Sequence, residues 1–381
     1  MEVKGHKQKC IIFTGGGSSG HVVPNLAIIE KFKFENWNVV YVGSRNGIER
    51  DIIIKETDIS YFSIVSGKLR RYFSWQNFID PFKIIYGIIQ GCLLCCKIRP
   101  DVVFSKGGFV SFPLVIAAWL NGIPVIAHES DITPGLANKL SFPFVKKICT
   151  TFTETAAKLK NNTKVVVTGT PIRKGLLAGN AANGLKVCQF SEHKKVILII
   201  GGGLGSESIN KVIRAILPRL LVSFQIIHIC GKNKLDNSLE NLSGYKQFEY
   251  IYTKNFAKEA RQSEQSLNDV KHIELADIMA CASIVISRAG ANSIYELLAL
   301  RKPHILIPLP LKGSRGDQIS NAKYFSEHGL SEVFFEEELS SDALYDKIVW
   351  INAHEEEIIK RLKTFKMMDS VQLIYDIITS V

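Results

Sequence analysis

One pattern occurs twice in this chain and does most to limit what it can fold into. A short run of β-branched and apolar residues, CIIF at 10–13, leads into TGGGSSGH at 14–21. VILII at 196–200 leads in the same way into GGGLGS at 201–206. Each is a buried strand running into a glycine-rich turn, followed by a helical pattern, which is how a βαβ unit opens. Similar strand patterns recur at 38–42, 101–105, 124–128, 164–169, 224–230, 283–287 and 304–309, with helical stretches such as 24–34, 110–120 and 292–300 between them. Such alternation predicts parallel sheets covered on both faces, so the expected class is α/β with two Rossmann-like domains. A length of 381 residues suits two or three domains rather than one core. The boundary is expected near GTPIRKGLLAGNAANG (169–184), which is rich in Gly, Ala and Asn and has no apolar period. The polar stretch 253–272 reads as a surface helix or a mobile insertion, and 354–381 as an amphipathic helix.

Composition removes some classes. Hydrophobic residues at 46% and charged residues at 22% exclude a disordered chain. Lys+Arg 47 against Asp+Glu 36 gives a net charge of +11, which suits nucleic acid, phosphorylated ligands or anionic lipid without choosing among them. The N-terminal MEVKGHKQKC has no apolar signal core, so secretion is not expected. Reduced thiols are expected throughout. Cys92, Cys95 and Cys96 lie in IIYGIIQGCLLCC with no answering His or Cys pair, and read as buried structural thiols. That run falls short of the roughly 20 residues of a membrane span. The stretch 110–127 is interrupted by Pro113, Asn121, Gly122 and Pro124, so no transmembrane segment is expected.

Several residues have chemistry to offer. Gly15, Gly17 and Gly20 form a G-x-G-x-x-G, weak support for a dinucleotide. The second strand ends Val42-Gly43-Ser44-Arg45 with no acid for a ribose, although Arg45 suits a 2′-phosphate. His21 is expected at a helix start, whose positive end keeps imidazole neutral and competent as a general base. The alternative is a histidine that only caps the turn. The turns at 201–206 and 287–293 also join strand to helix, so three such turns favour a nucleotide diphosphate. The alternative for each is close strand–helix packing. Glu296, a turn into the next helix, suits a ribose or is simply solvated. Gln318 suits sugar hydroxyls. KLRRYFSWQNF (68–78) interleaves basic and aromatic residues, as do membrane-interface segments, nucleic-acid sites and partly buried amphipathic helices.

Seven motifs fall in order along the chain: TGGGSSGH (14–21), KGGFVSFP (106–113), IPVIAHESDITPGLANK (123–139), GTPIR (169–173), GGGLGS (201–206), SRAGANSIYELL (287–298) and SRGDQISNA (314–322). Together they resemble the MurG family of glycosyltransferases over nearly the whole chain, and KLRRYFSWQNF resembles its Firmicute-like variant. The resemblance implies the GT-B fold, two Rossmann-like domains facing across a cleft. An acceptor and membrane-associating domain would span 1–172 and a UDP-sugar domain 173–353, with a terminal helix over 354–381 crossing back. The implied reaction is an inverting transfer of N-acetylglucosamine from UDP-N-acetylglucosamine to the 4-hydroxyl of undecaprenyl-diphospho-N-acetylmuramoyl-pentapeptide, in peptidoglycan synthesis. It implies no metal, no cofactor, no nucleic-acid partner, and a peripheral place on the cytoplasmic side of the cell membrane.

By position, His21 resembles the general base and Glu129 a second catalytic residue on the acceptor side, with Asp131 and Asn138 binding the acceptor. Ser18, Ser19 and Gly20 lie at the loop joining donor and acceptor. Arg173, Gly290, Ala291, Asn292 and Ser293 would hold the diphosphate, Glu296 the ribose and Gln318 the N-acetylglucosamine hydroxyls. Lys68, Arg70, Arg71, Tyr72, Phe73 and Trp75 would meet an anionic membrane surface. Ser18 replaces a common threonine, Asp131 a common asparagine, and Gly203 a serine that usually touches the donor. The stretch 253–272 is longer than the family's and lies where uracil is held. Two other readings are a related transferase with a diacylglycerol acceptor and a non-catalytic descendant that binds a UDP-sugar.

Overall fold

Two parallel sheets organise the chain. The computed structural model describes residues 8–67, 76–159, 163–203, 205–251, 274–311 and 314–381, without the side chains of 76–78. The first sheet has seven strands: β1 (Cys10–Thr14), β2 (Asn38–Gly43), β3 (Ser60–Ser63), β4 (Val102–Ser105), β5 (Val125–Glu129), β6 (Lys147–Thr150) and β7 (Val165–Val167). Their spatial order is β3-β2-β1-β4-β5-β6-β7, all parallel. The second sheet has six: β8 (Lys195–Ile200), β9 (Phe224–Ile229), β10 (Tyr245–Phe248), β11 (Ile284–Ser287), β12 (His304–Leu306) and β13 (Glu332–Val333). They run β10-β9-β8-β11-β12-β13, also all parallel. In each sheet the winding reverses next to the first strand, between β1 and β4 and between β8 and β11. Ligands of open parallel sheets bind outside the carboxyl ends of the strands at such a switch point. The turns after β1, β4, β8 and β11 are therefore where a site belongs.

The buried runs explain the strands. β1, β4 and β5 are buried along their whole length, as strands covered on both faces must be. Period-two alternation sends Phe13, Tyr41 and Phe104 to one face, where they meet Phe32, Ile374 and Ile378. Ile12, Val40 and Val103 go to the other, against Leu114 and Cys95. Four strands, β3, β6, β10 and β13, were not expected from the sequence. Three of them are sheet edges, where one neighbour is missing and the apolar signal weakens.

The described residues divide into two compact units, one within 8–172 and 368–381, the other within 173–251 and 274–367. The segment 354–381 is not one helix. It forms Glu355–Thr364 in the second unit and Ser370–Thr379 in the first. Asp369 starts the latter by accepting from the Gln372 N–H. Tyr375 then packs against Phe32, with the rings tilted and their centroids 4.9 Å apart. Nor is 169–184 an open linker. It holds the helices Lys174–Leu177 and Ala181–Cys188, the second capped by Asn180.

The helix Gln76–Ile98 is longer than its apolar run suggested. Its stretch Ile79–Ile98 has a mean hydropathy of 1.4 over 20 residues, enough by length and composition to cross a membrane. One face packs on the helix Ser111–Leu120, where Gly91 lies against Ala117. The three cysteines are not uniformly buried: Cys95 is buried, Cys92 half-buried and Cys96 exposed. Cys96 follows Cys95 by one residue, about 100° round the helix, which turns it to solvent.

Candidate functional site

In the first unit, the backbone after β1 is held from inside. Gly15, Gly16 and Gly17 precede the 3-10 turn Ser19–His21 and the helix Val23–Phe34. His21 therefore does not begin the α-helix, as expected; Pro24, with no N–H to pair, sits in the helix's first turn instead. Asn25 Nδ2 donates to the His21 carbonyl at 3.3 Å and to Tyr41 Oη at 3.2 Å. Tyr41 in turn donates to the Gly15 carbonyl at 2.7 Å. Burial pushes the Tyr41 hydroxyl well above its ordinary value, so it remains a donor. A Cβ on Gly15 would stand 2.5 Å from the His21 carbonyl oxygen.

The carboxylate of Glu49, 1% exposed, lies beneath the same loop. It accepts from Gly17 N at 3.2 Å, Ser44 N at 2.9 Å and Ser44 Oγ at 2.6 Å. Gly16, Gly43 and Gly47 are glycines because a Cβ at any of them would run into this side chain. The loop N–H that a dinucleotide phosphate would use is thus taken by the protein's own anion, which also repels phosphate. That argues against a dinucleotide at the G-x-G-x-x-G. Ser18 remains exposed, and Ser19, Gly20 and His21 half-buried.

The turn after β4 closes on that loop, with Gly16 N donating to the Gly107 carbonyl at 3.2 Å. Beside it the structure brings Glu129, Asp131 and Asn138 together. Glu129, at the end of β5 and 2% exposed, accepts from Asp131 N and Gly135 N, each at 3.0 Å, and from Asn138 Nδ2 at 2.8 Å. Its carboxylate is engaged in shaping its own loop.

In the second unit the two switch-point turns differ. After β8 the turn is closed: Ser206 caps the helix Glu207–Ser223 by accepting from Ile209 N, and takes Arg288 Nη2 at 2.6 Å. Gly203 is half-buried within it. Arg288 also donates to the carbonyls of Ile307 and Pro308 at 3.1 and 3.2 Å and pairs with Glu336. This guanidinium ties three segments to one another. After β11, Gly290 is the N-cap of the helix Ala291–Ala299 with no side chain capping it. A Cβ there would meet only Ser293 Oγ, at 3.9 Å. A helix N-terminus that no side chain caps suits an anion.

Glu296 is half-buried one turn into that helix, and its carboxylate has no hydrogen bond among the described residues. Burial raises its carboxyl above the ordinary value, and the charge of Arg173, itself 8% exposed, opposes that. Asn292 and Ser293 are half-buried in the first turn, behind the buried Ala291. Gln318 uses its amide oxygen to accept from Leu309 N at 3.1 Å, which leaves its NH2 group as a donor. Lys68, Arg70, Arg71, Tyr72, Phe73 and Trp75, and the stretch 253–272, lie outside the described residues. Sequence reasoning missed Asn25, Tyr41, Glu49 and Arg288. The only local sign of Glu49 was the pair of glycines, Gly43 and Gly47, just before it.

Comparison with known proteins agrees with this architecture. The glycosyltransferase family 28 N-terminal domain matches residues 11–150 and the family 28 C-terminal domain residues 196–374. A Legionella pneumophila (strain Paris) protein is 52% identical over 368 residues, 97% of this chain and 96% of that one. It is named UDP-N-acetylglucosamine--N-acetylmuramyl-(pentapeptide) pyrophosphoryl-undecaprenol N-acetylglucosamine transferase. A Clostridium perfringens (strain SM101) protein of the same name is 50% identical over 372 residues, 98% of each chain. Among solved structures, Acinetobacter baumannii MurG aligns with a TM-score of 0.70 at 22% identity, covering 98% of this chain and all of that one. The calicheamicin glycosyltransferase CalG4 aligns at 0.63 with 11% identity, covering 97% and 95%. The fold is GT-B. With both family domains matched in order and half the residues shared with full-length relatives, the chain belongs to glycosyltransferase family 28 and to the MurG family within it.

Proposed function

We propose that this enzyme moves N-acetylglucosamine from UDP-N-acetylglucosamine to the 4-hydroxyl of undecaprenyl-diphospho-N-acetylmuramoyl-pentapeptide. The observation that carries the assignment of roles is the uncapped helix start at Gly290, with the carboxylate of Glu296 one turn below it. Diphosphate oxygens suit the N–H groups of that helix start, and the ribose hydroxyls suit the carboxylate. Asn292, Ser293 and Arg173 add donors for the charge that develops on UDP. The NH2 group of Gln318 serves a sugar hydroxyl. On the acceptor side, Asp131 and Asn138 bind the muramyl substrate, and Glu129 keeps their loop in shape.

His21 is the base. It takes the proton of the acceptor hydroxyl while that oxygen bonds to C1 of N-acetylglucosamine. The bond from C1 to the UDP phosphate oxygen breaks on the opposite face, UDP leaves with the electron pair, and the configuration inverts. The test is UDP release from UDP-N-acetylglucosamine with and without a lipid-linked muramyl-pentapeptide analogue. Acceptor-dependent release should fall by about 10²–10⁴ in His21→Ala. Release that survives the substitution would move the base elsewhere. No acceptor-dependent release from the wild type would refute the reaction.

We also infer peripheral attachment to the cytoplasmic face of the membrane. Ile79, Phe82, Ile85, Tyr86, Ile89 and Leu93 form an exposed stripe at helical spacing, with Phe82 at 73% and Leu93 at 68% exposure. The other face of that helix is packed on protein, so it suits lying in an interface rather than spanning. The basic surplus favours anionic lipid. Phe82→Ser with Leu93→Ser should abolish binding to phosphatidylglycerol vesicles and leave the rate with a soluble acceptor unchanged. Undiminished vesicle binding would sink this inference.

A further inference from the structure

A buried lysine stands next to the acceptor loop with no part in the chemistry above. Lys106 follows β4 at the switch point and is 1% exposed. Its Nζ is 2.6 Å from His128 Nδ1 and donates to Ser130 Oγ at 2.7 Å. His128 is fully buried, and burial and the Lys106 charge hold its ring well below its ordinary value, so it is neutral. Its Nε2 faces the Gly169 carbonyl at 2.9 Å, and a carbonyl can only accept. Nε2 therefore carries the ring proton, and Nδ1 accepts from Lys106. The chain of donors runs Lys106 to His128 to Gly169, with a branch to Ser130. Asn138 joins it by donating to the His128 carbonyl at 3.2 Å.

We propose that Lys106 is a positioning residue, whose ammonium holds the 128–138 loop in the shape that binds the lipid-linked acceptor. Two features favour function over mere packing. Burying an ammonium costs stability, and an apolar side chain of similar length would fill the space without that cost. The charges facing it are also those of the acceptor loop: Glu129 and Asp131, with the Cys149 thiol on β6 and the neutral His128 completing its titratable surroundings. The lysine is the counter-charge that lets two carboxylates share one short loop.

The arrangement titrates. Burial pushes the Lys106 ammonium down to about 7, against the pull of Glu129, Asp131 and Cys149. Below that pH the charge is present and the loop is clamped. Above it the amine is neutral, its hydrogen bonds lose charge assistance, and the carboxylates lose their counter-charge. kcat/KM for the acceptor should therefore fall on the alkaline side through a single ionisation near pH 7, while the donor KM stays flat.

The proposal rests on the transferase reading, and the experiment separates the two. Steady-state kinetics are run against pH for wild type, Lys106→Met, Lys106→Arg and Ser130→Ala, with thermal melts of each. Wild type without acceptor-dependent turnover would fail the function, not the lysine. Given turnover, Lys106→Met should raise the acceptor KM about tenfold or more below neutrality, the size of a lost charged hydrogen bond, and should lose the alkaline limb. Lys106→Arg, always charged, should keep the low KM and push the limb to higher pH. If Lys106→Met does not fold, the Arg and Ser130→Ala profiles decide, Ser130→Ala being expected to raise the acceptor KM alone. An alkaline limb unchanged in Lys106→Arg, or donor and acceptor KM rising together, would overturn the proposal.

Discussion

The turns after β1 and after β11 look alike in sequence and do opposite work. Both follow a buried strand, contain glycine and lead towards a helix. After β1 the loop N–H of Gly17 is taken by Glu49, and the carbonyls of Gly15 and His21 are taken by Tyr41 and Asn25. After β11 the helix begins with no side-chain cap and open space at Gly290. The first turn is filled by the protein's own side chains. The second has no side chain capping its first turn. A glycine-rich turn therefore specifies close backbone approach, and only the surroundings decide whether what approaches is a phosphate or the protein itself.

The comparison is broken most forcefully at Gly15. A methyl group there would press on the His21 carbonyl at 2.5 Å and on Asn25 Nδ2 and Lys106 Cβ, each at 3.1 Å. Backbone cannot yield cheaply, so Gly15→Ala should cost about 3 kcal/mol or more, at the upper end of overpacking effects. It should also move His21 and remove activity in whatever protein folds. A normal melting temperature would mean the loop is looser than its contacts imply.

Glu49→Gln comes next. The carboxylate accepts from three donors, and an amide would turn an NH2 group towards at least one of them. A loss of about 1–3 kcal/mol is expected from the clash of donors. kcat should fall with it while the donor KM stays constant, because the loop and not the donor site has been disturbed. Lost stability with unchanged kcat would separate Glu49 from the base.

At Glu296 the expected signs divide. Its carboxyl is raised by burial, so the ionised form is penalised in the folded state. Below the unfolded carboxyl value both states are protonated and the penalty is absent; it grows as pH rises and levels off above the folded value. Glu296→Gln removes it, so the melting temperature should rise slightly at neutral pH and match wild type in acid. The donor KM should rise about tenfold or more through the lost ribose contact. A variant destabilised at neutral pH would show that Glu296 serves the fold rather than the ligand.

What the sequence disclosed follows the range of the interactions. β1, β2, β4, β5, β8, β9, β11 and β12 each contain Val, Ile or Leu in a short apolar run, and local composition is enough to read them. β3, with the sequence SYFS, and β13, with only Glu332 and Val333, are edges that depend on a neighbour the sequence does not name. His21, Arg173 and Gln318 were singled out because they sit in motifs. Glu49 lies 32 residues from Gly17, and Arg288 lies 80 residues from Ser208. Apart from Gly43 and Gly47 beside Glu49, nothing local marks either as a partner. The break at Phe365–Asp369 was hidden for another reason: the apolar period runs through it, and only the Asp369 cap shows where the second helix starts.

The smallest expected effect on the fold tests the other half of the comparison. Gly290 has φ −68° and ψ 136°, a conformation any residue adopts, and a Cβ there would meet nothing closer than Ser293 Oγ at 3.9 Å. Gly290→Ala should therefore change stability by no more than about 0.5 kcal/mol, as at an ordinary surface position. The donor KM should rise, since the methyl group would stand where the diphosphate approaches the helix N–H groups, while the acceptor KM holds. One glycine-to-alanine change would then ruin the fold at position 15 and be silent to it at position 290. If Gly290→Ala left the donor KM unchanged as well, the diphosphate would have to lie elsewhere. The closed turn after β8 would then need to open, through loss of the Arg288 contact to Ser206, before it could accept one.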